Sequence, residues 1–88
     1  MEIELTVAAK RELEQWKQNG NSHVLRRIKA LLISIIETPY QGIGKPEALK
    51  YQLTGLWSRR ITQEDRLVYE IKEDVIIVYS LKGHYKKN

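Results

Sequence analysis

The sequence predicts an α+β fold in which two N-terminal helices pack on one face of an antiparallel, curved β-sheet. Three observations carry this prediction. Two segments before residue 38 repeat apolar residues at helical spacing, and three segments after residue 55 have strand length with polar turns between them. A loop holding two glycines and a proline separates the two halves. At 88 residues, 42% hydrophobic and 30% charged, the chain reads as one domain, 1–88, near the size at which a single core only just suffices.

Ile3-Glu4-Leu5 reads as a short first strand, and Thr6 as the N-cap of a helix from about Val7 to Gln18. In that helix Ala9, Leu13 and Trp16 form one buried stripe, while Lys10, Arg11, Glu14 and Lys17 face water. Asn19-Gly20 is its stop signal. Asn21 or Ser22 caps a second helix running to about Glu37, with Val24, Ile28, Leu31 and Ile35 inward and Leu25, Leu32 and Ile36 widening the stripe. Ile33 points away from Val24, either as an incidental surface residue or as part of a partner-binding face.

Thr38-Pro39 ends the second helix, because a residue before proline disfavours the helical region. Residues 40–46 form an irregular connection, and Glu47 to Lys50 read as a helical turn. Strands follow at Leu56–Ile61, Arg66–Ile71 and Val75–Leu81, an antiparallel meander. Alternation puts Leu67, Tyr69 and Ile71 on the helix-facing side and Arg66, Val68 and Glu70 on the other. On the preceding strand Arg60 goes with Leu56 and Ser58, and Arg59 with Trp57 and Ile61. Arg60 and Arg66, flanking one turn, are therefore expected on one concave, solvent-facing surface, although a one-residue slip would bring up Arg59 instead.

Composition narrows the chemistry. The chain has no Cys, which excludes disulfides, thiolate ligands and cysteine nucleophiles. With only two His and no cluster of carboxylates, no metal site is expected, and Gly42 and Gly44 lack the spacing of a phosphate-binding loop, so no cofactor is called for. The acidic start Met1-Glu2-Ile3-Glu4 and the short apolar run 30–36 give no signal peptide or membrane span, and the expected compartment is the cytoplasm. Net charge is +4. Residues 1–44 hold 6 Lys/Arg against 5 acids and residues 45–88 hold 9 against 6, so the basic excess lies in the second half, as suits a polyanionic partner. That half also holds a carboxylate, several guanidinium groups and an imidazole, a set sufficient for metal-free RNA cleavage by the 2′-hydroxyl.

GKPEALK at 44–50, LTGLWSRRIT at 53–62, DRLVYEI at 65–71 and the terminal GHY at 83–85 resemble, in order and spacing, the YoeB family of bacterial toxins within the RelE/ParE-like superfamily. The resemblance is densest from Gly42 onward. It implies a RelE-like microbial ribonuclease fold and an mRNA interferase that enters the ribosomal A site, contacts rRNA and cuts mRNA. It also implies a cognate YefM-like antitoxin, with operator DNA reached only through the antitoxin complex, and leaves a homodimer through the surface near Ile33 open. Glu47 is implied as general base, His84 as general acid, and Arg60 and Arg66 as phosphate and transition-state stabilisers, with Lys50 and Tyr85 in support. The tail Lys86-Lys87-Asn88 extends past the Tyr at which the family often stops, and Lys86 and Lys87 either reach rRNA phosphates or belong to a disordered end.

Each of these residues has a plainer reading. Glu47 after Pro46 suits the start of a helix, and arginines flanking a turn commonly pair with acids such as Glu64, Asp65 or Glu70. A lone histidine near a terminus is as a rule exposed or incidental, and His23, early in the second helix, reads as a surface or capping histidine. Tyr85 either stacks on a base or packs on the sheet; Lys45 and Arg59 either contact RNA backbone or are solvated; Trp57 and Tyr69 are read as core. A non-enzymatic toxin of the same fold, for example a gyrase-inhibiting ParE-like protein, or a co-repressor that acts by binding, is the alternative to the enzyme.

Overall fold

The computed structural model describes residues 1–85, and in it two helices lie against one five-stranded sheet. The elements run β1 (Glu2–Leu5), α1 (Val7–Gln18), α2 (Ser22–Glu37), β2 (Glu47–Ala48), a 3-10 turn at Tyr51–Leu53, β3 (Trp57–Arg60), β4 (Arg66–Lys72) and β5 (Val75–Ser80). Sheet order is β1-β5-β4-β3-β2.

Both helices form where the apolar spacing places them. Thr6 caps α1 by accepting from Ala9 N, and its own N–H donates to Val78 O, so one residue ends β1 and starts the helix. Ala9 and Trp16 on α1, and Val24, Ile28, Leu31 and Ile35 on α2, meet Leu67, Tyr69, Ile76 and Val78 from the sheet in one core. Ile33 stays 49% exposed.

The sheet departs from the expected pattern in two places. It is mixed, because β1 pairs with β5 in parallel along Glu2↔Val75 to Leu5↔Val78, whereas the other ladders are antiparallel. The two helices supply the long crossover that a parallel pair needs. Glu47 to Lys50 is not a helical turn: Glu47 and Ala48 pair with Ser58 and Trp57, and Leu49 N donates to Leu56 O. The local EALK string suits a helix, but the free edge of β3 offers these backbone groups ladder partners, and the turn moves on to Tyr51–Leu53.

Arg59 fastens the loop to the sheet. It faces the helices, as its parity with Trp57 and Ile61 requires, and its side chain is 0% exposed. The guanidinium donates from Nε to the Tyr69 hydroxyl (3.2 Å), from Nη1 to Ser34 Oγ (2.7 Å) and Ile43 O (3.1 Å), and from Nη2 to Thr38 O and Gln41 O (2.7 Å each). Among the described residues no carboxylate lies within ion-pair distance. The charge is instead held by carbonyls at and just past the end of α2, where the helix dipole is negative. Gly44 lets the loop close over it. Its φ is +84°, and a Cβ there would stand 2.7 Å from Leu31 Cδ2 and 3.1 Å from Arg59 Cβ.

Candidate functional site

On the sheet face away from the helices, a row of facing residues runs across three strands. Glu47 on β2 faces Ser58 on β3, and Ser58 faces Val68 on β4. The next row toward the β3–β4 turn is Arg60 opposite Arg66. A pocket of about 220 Å³ opens on this face, lined by Glu47, Leu49, Leu53, Ser58, Arg66, Val68, His84 and Tyr85.

His84 reaches the pocket through a chain of ties that the sequence does not advertise. After β5, Leu81 N donates to Glu12 Oε1 (2.7 Å), and Trp16 Nε1 donates to Leu81 O (2.8 Å), so α1 holds the exit of the strand. Lys82 Nζ then lies over the Trp16 ring and donates to Gln15 Oε1. Gly83 is clasped from the opposite side, its N–H by Asp65 Oδ1 (2.7 Å) and its carbonyl by Arg66 N (3.1 Å). Asp65 Oδ2 accepts from Thr62 Oγ1 (2.6 Å), which fixes the turn that carries Arg66. The residue after this clasp is His84.

The expected site residues therefore separate into groups. Glu47, Arg66, His84 and Tyr85 line one pocket; Arg60 is exposed beside it as the cross-strand partner of Arg66. Lys45 and Lys50 are exposed on either side of β2, outside the pocket wall. Arg59 is a correction. It is no RNA contact, because every polar atom of its buried guanidinium is spent on the fold. Lys86 and Lys87 lie outside the described residues. Glu12 and the apolar walls Leu49 and Leu53 were not singled out from sequence, and Asp65 was weighed only as an ion-pair partner for the arginines, not as the acceptor for Gly83.

A second pocket, of about 210 Å³, adjoins the first through Tyr85 and is lined also by Gln52, Thr54, Leu56, Glu70 and Tyr79. Here the Tyr79 hydroxyl donates to Glu70 Oε1 (2.7 Å), and that bond, helped by burial, pushes the phenol up to about 12. Burial also raises Tyr69, against the opposing pull of Arg59. Among the described residues no three His, Cys, Asp or Glu side chains gather as a metal-ligating group.

Known proteins match both the sequence and the fold. The model of the YoeB-like toxin of bacterial type II toxin–antitoxin systems matches residues 6–85. Toxin YoeB of Synechocystis is 44% identical over 72 residues, 82% of this chain and 84% of that protein. The solved YoeB/ParE toxin from Agrobacterium tumefaciens superposes with a TM-score of 0.91 at 34% identity, covering 97% of this chain and 100% of that one. Staphylococcus aureus YoeB has been solved as a dimer (TM-score 0.89) and in a heterotetrameric complex with the YefM antitoxin (TM-score 0.88), each at 40% identity and covering 97% of this chain and 98% of that one. The chain belongs to the YoeB-like toxins of bacterial type II toxin–antitoxin systems.

Proposed function

We propose that this toxin is an endoribonuclease that cuts mRNA in the ribosomal A site by attack of the 2′-hydroxyl on the adjacent phosphate. The observation that carries the reading is the meeting of Glu47, Arg66 and His84 in one pocket on a basic half of the chain. Glu47 takes the proton from the 2′-hydroxyl as the O2′–P bond forms. Arg66, with Arg60 opposite it, offsets the charge that builds on the phosphorane. His84 gives a proton to the 5′-oxygen as the P–O5′ bond breaks. The products are a 2′,3′-cyclic phosphate and a free 5′-hydroxyl, and every proton is accounted for by the two side chains.

General acid–base work of this kind contributes about 10²- to 10⁴-fold, and each well-aimed charge-stabilising donor about 10²- to 10³-fold. Among the described residues Arg66 makes no ion pair, and its guanidinium donates only long hydrogen bonds to the Thr62 and Gln63 carbonyls, at 3.5 and 3.4 Å, which leaves it available to phosphate. The pocket is half open to solvent, as suits a strand of RNA held elsewhere by a larger scaffold, which is the part assigned to the ribosome.

The natural restraint is an antitoxin resembling YefM, whose acidic segment covers the same basic face. A homodimer, in keeping with the S. aureus relative, leaves that face open if it forms through α2 near Ile33.

Primer extension on a defined mRNA with ribosomes stalled at a known codon tests the reading. A cut in the A-site codon is expected with wild type only when ribosomes are present, and free RNA should stay uncut with or without EDTA. Glu47→Ala and His84→Ala should each slow it by about 10²- to 10⁴-fold. Folded wild-type protein that leaves the codon uncut overturns the proposal in favour of a toxin acting by binding alone.

A further inference from the structure

The pocket beside the catalytic one contains a feature that does not fit a phosphate channel. Glu70 is a carboxylate on the same face of β4 as Arg66 and Val68, in a surface otherwise suited to a polyanion. It forms no ion pair among the described residues, and its Oε2 accepts no hydrogen bond there, while Oε1 is held by Tyr79. A carboxylate repels phosphate and repels an acidic antitoxin segment equally. It accepts hydrogen bonds from the N–H edge of a base.

We propose that the pocket bounded by Gln52, Thr54, Leu56, Glu70, Tyr79 and Tyr85 is a nucleobase subsite and that Glu70 makes it select guanine. This rests on the RNA-cleavage reading for its biological use, though not for its chemistry. Guanine presents two adjacent donors, N1–H and the N2 amino group, which a carboxylate accepts side by side. Adenine and cytosine present one amino group on the matching edge, and uracil one imino N–H. The Tyr79 hydroxyl bond holds Glu70 in place. The Tyr79 and Tyr85 rings, 6.1 Å apart and tilted by 53°, supply an aromatic wall for the face of the base.

The spacing agrees. Arg66 lines the catalytic pocket and Glu70 the subsite, and the four-residue step between them along β4 spans about 13 Å, within reach of the nucleotide next to the one whose phosphate is cut. Tyr85 stands between the two pockets and belongs to both. A phosphate beside Arg66 therefore places the base of an adjoining nucleotide at Glu70. Base choice next to the cut is thus built into the toxin and adds to whatever the ribosome imposes.

Two measurements test this. In the first, stalled ribosomes carry mRNAs in which each base flanking the cut is varied in turn among G, inosine, A, C and U, and the ratio of cleavage rates is read. In the second, free toxin is titrated with 2′-O-methyl trinucleotides, which have no 2′-hydroxyl to attack, carrying the same base series, with Tyr ring signals followed by NMR. Wild type should favour G over A by about 5- to 100-fold at one position, the range of a bidentate base contact, with inosine between them because it lacks the N2 amino group. Glu70→Gln should abolish that ratio, and Tyr79→Phe should reduce it while leaving the ring in place.

Equal binding of G and A trinucleotides by wild type, or a G preference unchanged in folded Glu70→Gln, overturns the subsite. So does a Glu70→Gln effect confined to antitoxin affinity. Cleavage by wild type with a Glu70-independent preference rejects the subsite and keeps the nuclease. A Glu70-dependent G preference in trinucleotide binding, with no ribosomal cleavage, keeps the subsite and rejects the nuclease.

Discussion

The Asp65 carboxylate accepts a 2.7 Å hydrogen bond from the Gly83 N–H, joining the β3–β4 turn to a segment 18 residues further along the chain. The same carboxylate accepts from Thr62 Oγ1, and the residue after it, Arg66, donates its backbone N–H to Gly83 O. One acidic side chain thus sets the distance between the strand that carries Arg66 and the segment that carries His84. Without that clasp, the segment that carries His84 would have, among the described residues, no hydrogen bond to the β3–β4 turn.

Asp65→Ala should therefore damage cleavage more than folding. Charge-assisted hydrogen bonds of this kind are worth about 1.5–3 kcal/mol each, partly offset here by solvent access, so the thermal midpoint should fall by several degrees with the fold intact. Misplacing His84 by about 1 Å should cost on the order of 10²-fold in kcat with KM little changed. Asp65→Asn, which keeps an acceptor toward Gly83, should recover part of the rate. If kcat and the midpoint fall together and Asn rescues neither, Asp65 serves the fold alone.

Adjacent arginines should behave in opposite ways. Arg59→Ala removes five hydrogen bonds and leaves carbonyls of the α2 end and its loop without donors, so it should cost about 3–5 kcal/mol, enough to unfold much of a domain of this size. Arg60→Ala, at an exposed position, should change stability by less than about 0.5 kcal/mol and still slow cleavage. Urea melts of the two variants, with cleavage assays on Arg60→Ala, decide the matter; matching melting curves would contradict the division of labour.

Legibility of the chain followed the range of the forces involved. Helix α1 could be read to its end residues because Thr6, the Ala9–Leu13–Trp16 stripe and Gly20 act within a few positions of one another. Alternation alone sent Arg59 to the helix side with Trp57 and Ile61, and the structure follows that parity; charge had suggested the surface, yet carbonyls supplied by a loop 16–21 residues away make burial affordable. Glu47 was misread as helical because its strand exists only by pairing with Ser58. The roles of Asp65 and Glu12 were missed for the same reason, since their partners Gly83 and Leu81 are fixed only when the sheet has closed. The register shift that leaves Tyr79 as an extra residue between the Val68↔Ser80 and Tyr69↔Val78 pairs is likewise absent from any simple alternation.

Gly44→Ala should destabilise the loop that covers Arg59. The added methyl would meet Leu31 Cδ2 at 2.7 Å from a backbone with φ of +84°, combining overpacking with a strained conformation. The expected loss is about 1–3 kcal/mol, seen as a lower urea midpoint at unchanged slope. Gly20→Ala, where nothing lies within 4 Å of the new methyl, should lose only the smaller backbone part, about 1 kcal/mol. Equal losses would show that conformation rather than packing governs both positions.

The Tyr79–Glu70 bond should appear in the alkaline titration. The Tyr79 phenol is raised from 10.0 to about 12, chiefly because Glu70 accepts its proton in a hydrogen bond and would face a second anion once that proton left. A group whose pKa is raised by folding stabilises the native state fully below its unfolded value and loses that contribution as pH rises through the folded one. Stability from this pair is therefore whole below about pH 10 and fades between 10 and 12. Absorbance titration of the phenolate should show a late component that Tyr79→Phe removes, with Tyr69 left as the other raised phenol. Glu70→Gln should lower the Tyr79 step only in part, because the neutral amide still accepts the hydrogen bond and burial persists, while the charge that repels the phenolate is gone. The stability gap between wild type and Tyr79→Phe should then narrow across pH 10–12 in urea melts; a gap that stays constant over that range would mean that the phenol does not donate to Glu70 in solution.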